Sequence, residues 1–185
     1  MPNLPFRVLK LAQELQQIPA PTFAEAARAQ AVARAFDRAG LLDVGVDDLH
    51  NACARMPGRS PGVPPLLITA HTDTVFPAAT DLSLRAEAGR LCGPGIGDNA
   101  LGVAGLLGLV WALHEARWEP PGDIWLAANG SEEVLCDLAG MKAVMRKFGH
   151  RARATLVLEG MALGYVYHRG LGVRRYEIAV RTEGG

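Results

Sequence analysis

Cysteine is scarce in this chain: Cys53, Cys92 and Cys136 lie far apart, with no Cys-x-x-Cys pair. That spacing argues against a disulfide framework and against a cysteine-built structural zinc site, and fits reduced, mostly buried thiols. Charge of one sign never accumulates. Nineteen basic residues balance nineteen acidic ones without a run of either, so the electrostatic footprint of a nucleic-acid or anionic-membrane binder is missing. Long apolar runs are missing too. The longest, LGVAGLLGLVWAL at 101–113, falls short of the ~20 residues that a membrane span needs and reads as a buried helix. The opening MPNLPFRVLKLAQEL lacks the basic start, unbroken apolar middle and small-residue cleavage site of a signal peptide. These absences lead to the expectation of a cytoplasmic protein acting on a small molecule, with no nucleic-acid and no membrane partner.

What is present is an alternation of helical and extended patterns. Helical spacing of apolar residues marks 6–17 and 22–39, the second ending at Gly40, with IPAPT as the turn between them. Short apolar, β-branched segments follow at LLITAH (66–71), DIWLAA (123–128), ATLVLEG (154–160) and GYVYH (164–168). Helices are expected at about 101–117 and 137–148, and His50 precedes an early strand. Strands that alternate with helices and are apolar throughout predict an α/β sheet covered on both faces. Gly102, Gly105 and Gly108 form a stripe on one helix, which predicts close packing of that helix on the sheet, since each glycine costs about 1 kcal/mol of helix stability. The segment RRYEIAVRTEGG at 174–185 alternates as a strand with one wet face does. Such a strand needs partners, so the chain is expected to be the first part of something longer, or a truncated product.

Four short motifs carry acids or a histidine to strand ends and tight turns. His71 and Asp73, two apart, share a face at the end of LLITAH. They are either a hydrogen-bonded pair or a metal-ligating histidine oriented by its carboxylate. GPGIGDNALGVAG at 93–105 admits three readings: a dinucleotide fingerprint through Gly95, Gly97 and Ala100, an Asx turn capping a helix, or a turn that presents Asp98. Ser131-Glu132-Glu133 follows the apolar DIWLAA segment. This is an acidic helix start capped by Ser131, or a pair of carboxylates with different jobs, one on a metal and one facing water. Glu159 closes ATLVLEG, where an unpaired buried charge would be costly and would call for a cation.

Taken together, His-x-Asp, Gly-x-Gly-Asp, Glu-Glu and a final Glu, in this order, resemble the M20 family of di-zinc metallopeptidases and amidohydrolases over almost the whole chain. The resemblance implies a three-layer αβα fold with a mostly parallel central sheet, of the zinc-hydrolase kind. By it, residues 1–173 would be the N-terminal part of the catalytic domain, and 174–185 the first strand of an inserted lid or dimerisation domain. By the same resemblance His71, Asp98, Glu133 and Glu159 are metal ligands, with Asp98 bridging two metals and the Asp98–Asn99 bond cis. Glu132 is the general base and Asp73 the partner of His71. Two zinc ions, or cobalt or manganese, are implied. One site is incomplete, because the family draws its last histidine ligand from far downstream. His50, His114, His150 and His168 have no motif spacing that supports them in that role, and His168 and Arg169 are second-choice site residues. The implied reaction is hydrolysis of a peptide or N-acyl amino acid, with Glu159 leaning toward the carboxypeptidase and deacylase branches, and a homodimer is possible in the full-length protein. Ala100-Leu101-Gly102 stands where the family often has Lys-Gly-Gly, which leaves the subfamily open. A catalytically inactive domain of this family and a dinucleotide-binding domain are the alternatives.

Overall fold

Helix α1 (Leu4–Gln16) begins where the Asn3 side chain accepts the Phe6 N–H at 3.1 Å, a cap for one orphan donor. A computed structural model describes residues 3–160, 164–170, 172, 176 and 178–183. Helix α2 (Ala26–Arg38) starts four residues later than its apolar pattern suggests. Residues 18–25 instead form a loop in which Phe23 takes a left-handed conformation with φ 72°. The helix ends as expected, at Gly40 with φ 74°. There the Gly40 and Leu41 N–H groups return to the carbonyls of Asp37 and Phe36, as in a Schellman motif.

A five-stranded sheet follows, built from β1 (Leu42–Val46), β2 (Ala52–Met56), β3 (Leu66–His71), β6 (Ile124–Asn129) and β7 (Ala154–Val157), in the order β1-β2-β6-β3-β7. β3 pairs in parallel with both β6 and β7, and β2 is antiparallel to β1 and β6. Four strands therefore run one way and one runs against them, a mostly parallel sheet. A separate two-stranded hairpin, β4 (Arg85–Glu87) with β5 (Arg90–Cys92), leads into the turn Ile96–Ala100 and helix α3 (Leu101–Glu115).

Helices cover both faces. Leu15 of α1, Val32 and Phe36 of α2, and Val103, Leu106, Leu107 and Val110 of α3 pack with Ile68 and Leu126 on one side. Val144, at the end of α4 (Ala139–Val144), and Phe148 in the turn that continues it cover Cys53, Leu67 and Ala127 on the other. Each fully buried leucine contributes about 1.5–3 kcal/mol relative to an exposed one, so the layers are held mainly by apolar burial. With its preceding turn, α3 is long and apolar enough to cross a membrane, and here Val103, Ala104, Leu106, Leu107 and Val110 are buried in this core.

The glycine stripe meets the sheet only in part: a Cβ on Gly105 would lie 3.3 Å from Leu158 Cδ1, just beyond β7. A Cβ on Gly108 would lie 2.7 Å from Val8 Cγ2, and one on Gly102 would lie 2.1 Å from Asn99 Oδ1. Those two glycines admit α1 and a capping side chain rather than the sheet. The segment 164–168 forms no strand: Tyr165, Val166 and Tyr167 are exposed and unpaired with the sheet among the described residues. In the alternating segment, residues 174, 175, 177, 184 and 185 lie outside the described residues. Tyr176, Ile178 and Val180 are all exposed and in no strand. Alternation supplies a face to bury, but among the described residues no sheet lies beside it to bury it against.

Register positions the site. His71 pairs with Asn129 across β3 and β6, and Thr69 with Val157 across β3 and β7. The chain therefore leaves all three parallel strands at the same sheet edge, where open α/β sheets collect their functional groups.

Candidate metal centre

His71 is 3% exposed at the end of β3. Its Nδ1 sits 3.1 Å from the Asp73 carbonyl and 3.6 Å from Asp73 Oδ1. The hydrogen bond therefore goes to the main chain, and the carboxylate acts on the ring chiefly through its charge. On the other side of the ring, Nε2 lies 2.9 Å from Asp98 Oδ1 and 3.4 Å from Glu159 Oε1. Glu133 joins them: one ligand atom each from His71, Asp98 and Glu133 lies within 4.8 Å of the others. Of the histidines, His71 alone belongs to this group among the described residues, and His114 lies at the far end of α3.

The turn Ile96–Ala100 directs Asp98 by giving the capping task to its neighbour. Asn99 Oδ1 accepts the Gly102 N–H at 3.1 Å, and Asn99 Nδ2 donates to the Leu158 carbonyl at 2.9 Å. Asp98 is left to face the imidazole, and the Asp98–Asn99 peptide bond is cis. This disfavours the dinucleotide reading, because a side chain occupies the amide at the start of α3 and the turn projects a carboxylate.

The acidic helix start is also overturned. Residues 131–138 are not helical, α4 begins only at Ala139, and Ser131 has φ 51°. Asp73, fully buried, accepts the Glu132 N–H at 3.0 Å, the Glu133 N–H at 2.9 Å and the Thr22 hydroxyl at 2.9 Å. Two backbone amides that a helix would leave to its own first turn are thus tied to a carboxylate from β3. The reasoning for Glu159 needs correction as well. Among the described residues β7 is an edge strand with Leu156 and Val157 about half exposed, so there Glu159 is not a charge sealed in the core. It is held by His71 and by the Gly160 N–H at 3.1 Å. Arg28, 2% exposed, was not visible as a site residue. Its guanidinium donates to the carbonyls of Ile18 and Thr72, placing a buried cation behind Asp73. Burial lowers it to about 10, against the pull of Asp73, and it stays charged at neutral pH.

Burial opposes the charge of His71, yet the carboxylates of Asp73 and Glu159, with Glu132 further off, raise it to about 11. Burial likewise pushes Asp73 and Glu159 up, but the charge of His71 and hydrogen bonds together win. Contacts from His71 and from the Glu133 and Glu132 amides hold Asp73 below the ordinary carboxylate range, and His71 with the Gly160 amide does the same for Glu159. Glu132 and Glu133 go the other way, raised first by burial and then by neighbouring acids.

The signs give a pH prediction for metal-free protein. A histidine raised in the fold stabilises fully below its unfolded value of about 6.5 and loses that contribution as pH climbs toward the folded value. The lowered Asp73 and Glu159 stabilise above about 4–4.5 and lose it below. Thermal stability in chelator is therefore expected to fall from pH 7 to 10, and His71→Ala to flatten that slope. An equal slope in the variant would remove His71 as its source.

Chemically, Asp98, Glu133 and Glu159 crowd one side of the imidazole, and Glu133 and its neighbour Glu132 resist ionisation, first through burial and then through the surrounding acids. Such a donor set of oxygens and one nitrogen fits divalent cations. Residues 67–178 match the model of peptidase family M20/M25/M40. Among solved structures, aminopeptidase PepT from Bacillus cereus is 25% identical over 85% of this chain and 43% of its own, with TM-score 0.71. The dipeptidase Dug1p from Saccharomyces cerevisiae is 17% identical over 83% of this chain and 38% of its own, with TM-score 0.67. YXEP from Bacillus subtilis, described as a dinuclear metal binding peptidase from the M20 family, is 19% identical over 83% and 42%, with TM-score 0.58. No curated protein sequence matches this chain. The chain spans well under half the length of these three solved relatives. With that match covering more than half of its residues, and with His71, Asp98, Glu133 and Glu159 gathered at one sheet edge, the chain belongs to peptidase family M20/M25/M40.

Proposed function

We propose that this chain carries the metal-binding half of a divalent-metal-dependent hydrolase acting on the amide bonds of small peptides or N-acyl amino acids. The observation that carries the reading is the convergence of Asp98, Glu133 and Glu159 on the Nε2 side of a single buried histidine. His71, Asp98 and Glu159 would hold one ion, and Asp98 with Glu133 a second; zinc, cobalt and manganese all suit such a set. Metal bound there supplies Lewis-acid polarisation of the scissile carbonyl and a lowered pKa for the attacking water. Glu132, on the same loop and raised first by burial and then by neighbouring acids, takes the water's proton and returns it to the leaving nitrogen. Asp73 orients this arrangement twice, through the charge it sets beside His71 and through the Glu132 and Glu133 amides.

A reduced, cytoplasmic setting is consistent with three unpaired cysteines. Residues from about 174 onward begin a lid or dimerisation domain in this proposal, and a homodimer of the full-length protein goes with it. The family membership and the peptidase relatives support hydrolysis. The deciding experiment is zinc titration of the metal-free chain by calorimetry, with its mass verified, followed by assays on dipeptides and N-acyl amino acids. Close to one tight zinc per chain is expected from the His71, Asp98, Glu159 set. No specific zinc in a folded sample would sink the proposal.

A further inference from the structure

Glu25 sits immediately before α2 with no exposure at all, yet it does not cap that helix. Its Oε1 turns away and accepts the Phe23 N–H at 3.0 Å and the Ser131 N–H at 2.8 Å, with Ser131 Oγ at 3.4 Å. Its Oε2 is buried without a hydrogen-bond partner among the described residues. A half-satisfied carboxylate in the interior is costly, so its presence calls for an explanation in what Oε1 holds.

What it holds is the start of the Glu132-Glu133 loop. Three consecutive amides, those of Ser131, Glu132 and Glu133, are bound by just two buried carboxylates: the first by Glu25, the next two by Asp73. Both carboxylates are in turn tied to one short segment. Thr22 donates its hydroxyl to Asp73, and Phe23 donates its amide to Glu25. Phe23 and Ser131 both lie in the left-handed region, with φ 72° and 51°, where residues with a side chain stay only when their surroundings impose it. The loop is also boxed from behind, since a Cβ on Gly130 would lie 3.4 Å from the Glu25 carboxyl and 2.7 Å from the Leu49 carbonyl.

We infer that Glu25 is a positioning residue of the site, which through the Ser131 amide sets the direction in which Glu132 and Glu133 leave β6. The clamp stands on the hydrogen bonds alone; its consequence for metal affinity rests on the proposed function.

The test uses the whole chain with Glu25→Ala and Glu25→Gln, the latter keeping an oxygen for both amides. Amide hydrogen exchange at 131–133 reads the clamp, and Co²⁺ titration by visible absorption reads the ligand geometry. Glu25→Ala is expected to speed exchange at Ser131 by about tenfold, the equivalent of one lost hydrogen bond, with protection in β3 and β6 retained. It is expected to weaken Co²⁺ binding by about 10–100-fold, the usual effect of removing a residue that orients a ligand. Glu25→Gln restores most of both. Should Glu25→Ala not fold, Glu25→Asp, which draws the carboxylate back by one methylene, is read in the same way. Exchange at 131–133 unchanged from wild type overturns the inference, whatever happens to melting temperature. Wild-type protein that binds no Co²⁺ refutes the metal reading instead, and the exchange data then decide the clamp by themselves.

Discussion

Glu132→Ala is expected to lower amide hydrolysis by roughly 10²–10⁴-fold, the usual contribution of a positioned proton-transfer group, with divalent-metal affinity unchanged. The expectation rests on a division of labour between two adjacent acids. Glu133 belongs to the group of ligand atoms around His71, and Glu132 does not. Glu132 is pushed above the ordinary glutamate range, first by burial and then by Glu133, Asp73 and Glu159, against the pull of His71. A carboxylate raised in this way moves toward the pH at which it can both accept and return a proton. Its amide is held by Asp73, so truncating the side chain leaves the loop anchored. Turnover and metal titration measured on the same preparation separate the roles: loss of metal together with activity would make Glu132 a ligand, not a base.

On the proposed function, Asp98→Ala is expected to abolish the one tight metal site, a loss beyond the 10–100-fold typical of an orienting residue, whereas Glu133→Ala is expected to leave that tight site in place and to remove only the second, weaker ion. Asp98 is the carboxylate nearest to His71 Nε2 and shares the ligand group with Glu133, and the bridging role proposed for it would make both ions depend on it. The side chain is 65% exposed, and exposed substitutions rarely shift stability by more than about 0.5 kcal/mol. A metal-free melting temperature close to wild type should therefore accompany the loss. Calorimetric titration of both variants checks the pair. Equal losses would remove the distinction between a shared and a single-site ligand.

Much of the site was legible because its chemistry is local in the chain. His71 and Asp73 share a strand end, Asp98 follows two glycines, and Glu132 and Glu133 follow an apolar strand. The order of these motifs pointed to the family that the comparison found. The local geometry was less legible. The Ser131 segment has the composition of a helix start, yet Asp73 takes its amides and the helix waits until Ala139. Asn99, not Asp98, caps α3. GYVYH has strand propensity but no neighbour to pair with among the described residues, and β-propensity is realised only against a sheet.

Thr22, Glu25 and Arg28 lie just over a hundred residues before Glu132, and Arg28 is engaged by the carbonyls of other segments. Nothing in their spacing marks them. Sequence by itself determined the elements that periodicity writes, the residue types able to bind a divalent ion, and their placement at strand ends. Tertiary structure alone decided that β3, β6 and β7 lie side by side in register, so that three acids distant in the chain, Asp98, Glu133 and Glu159, meet one imidazole. The physical reason is that a hydrogen-bonded ladder sets which strand ends coincide in space, and a buried carboxylate such as Asp73 or Glu25 takes whichever amides that ladder delivers to it.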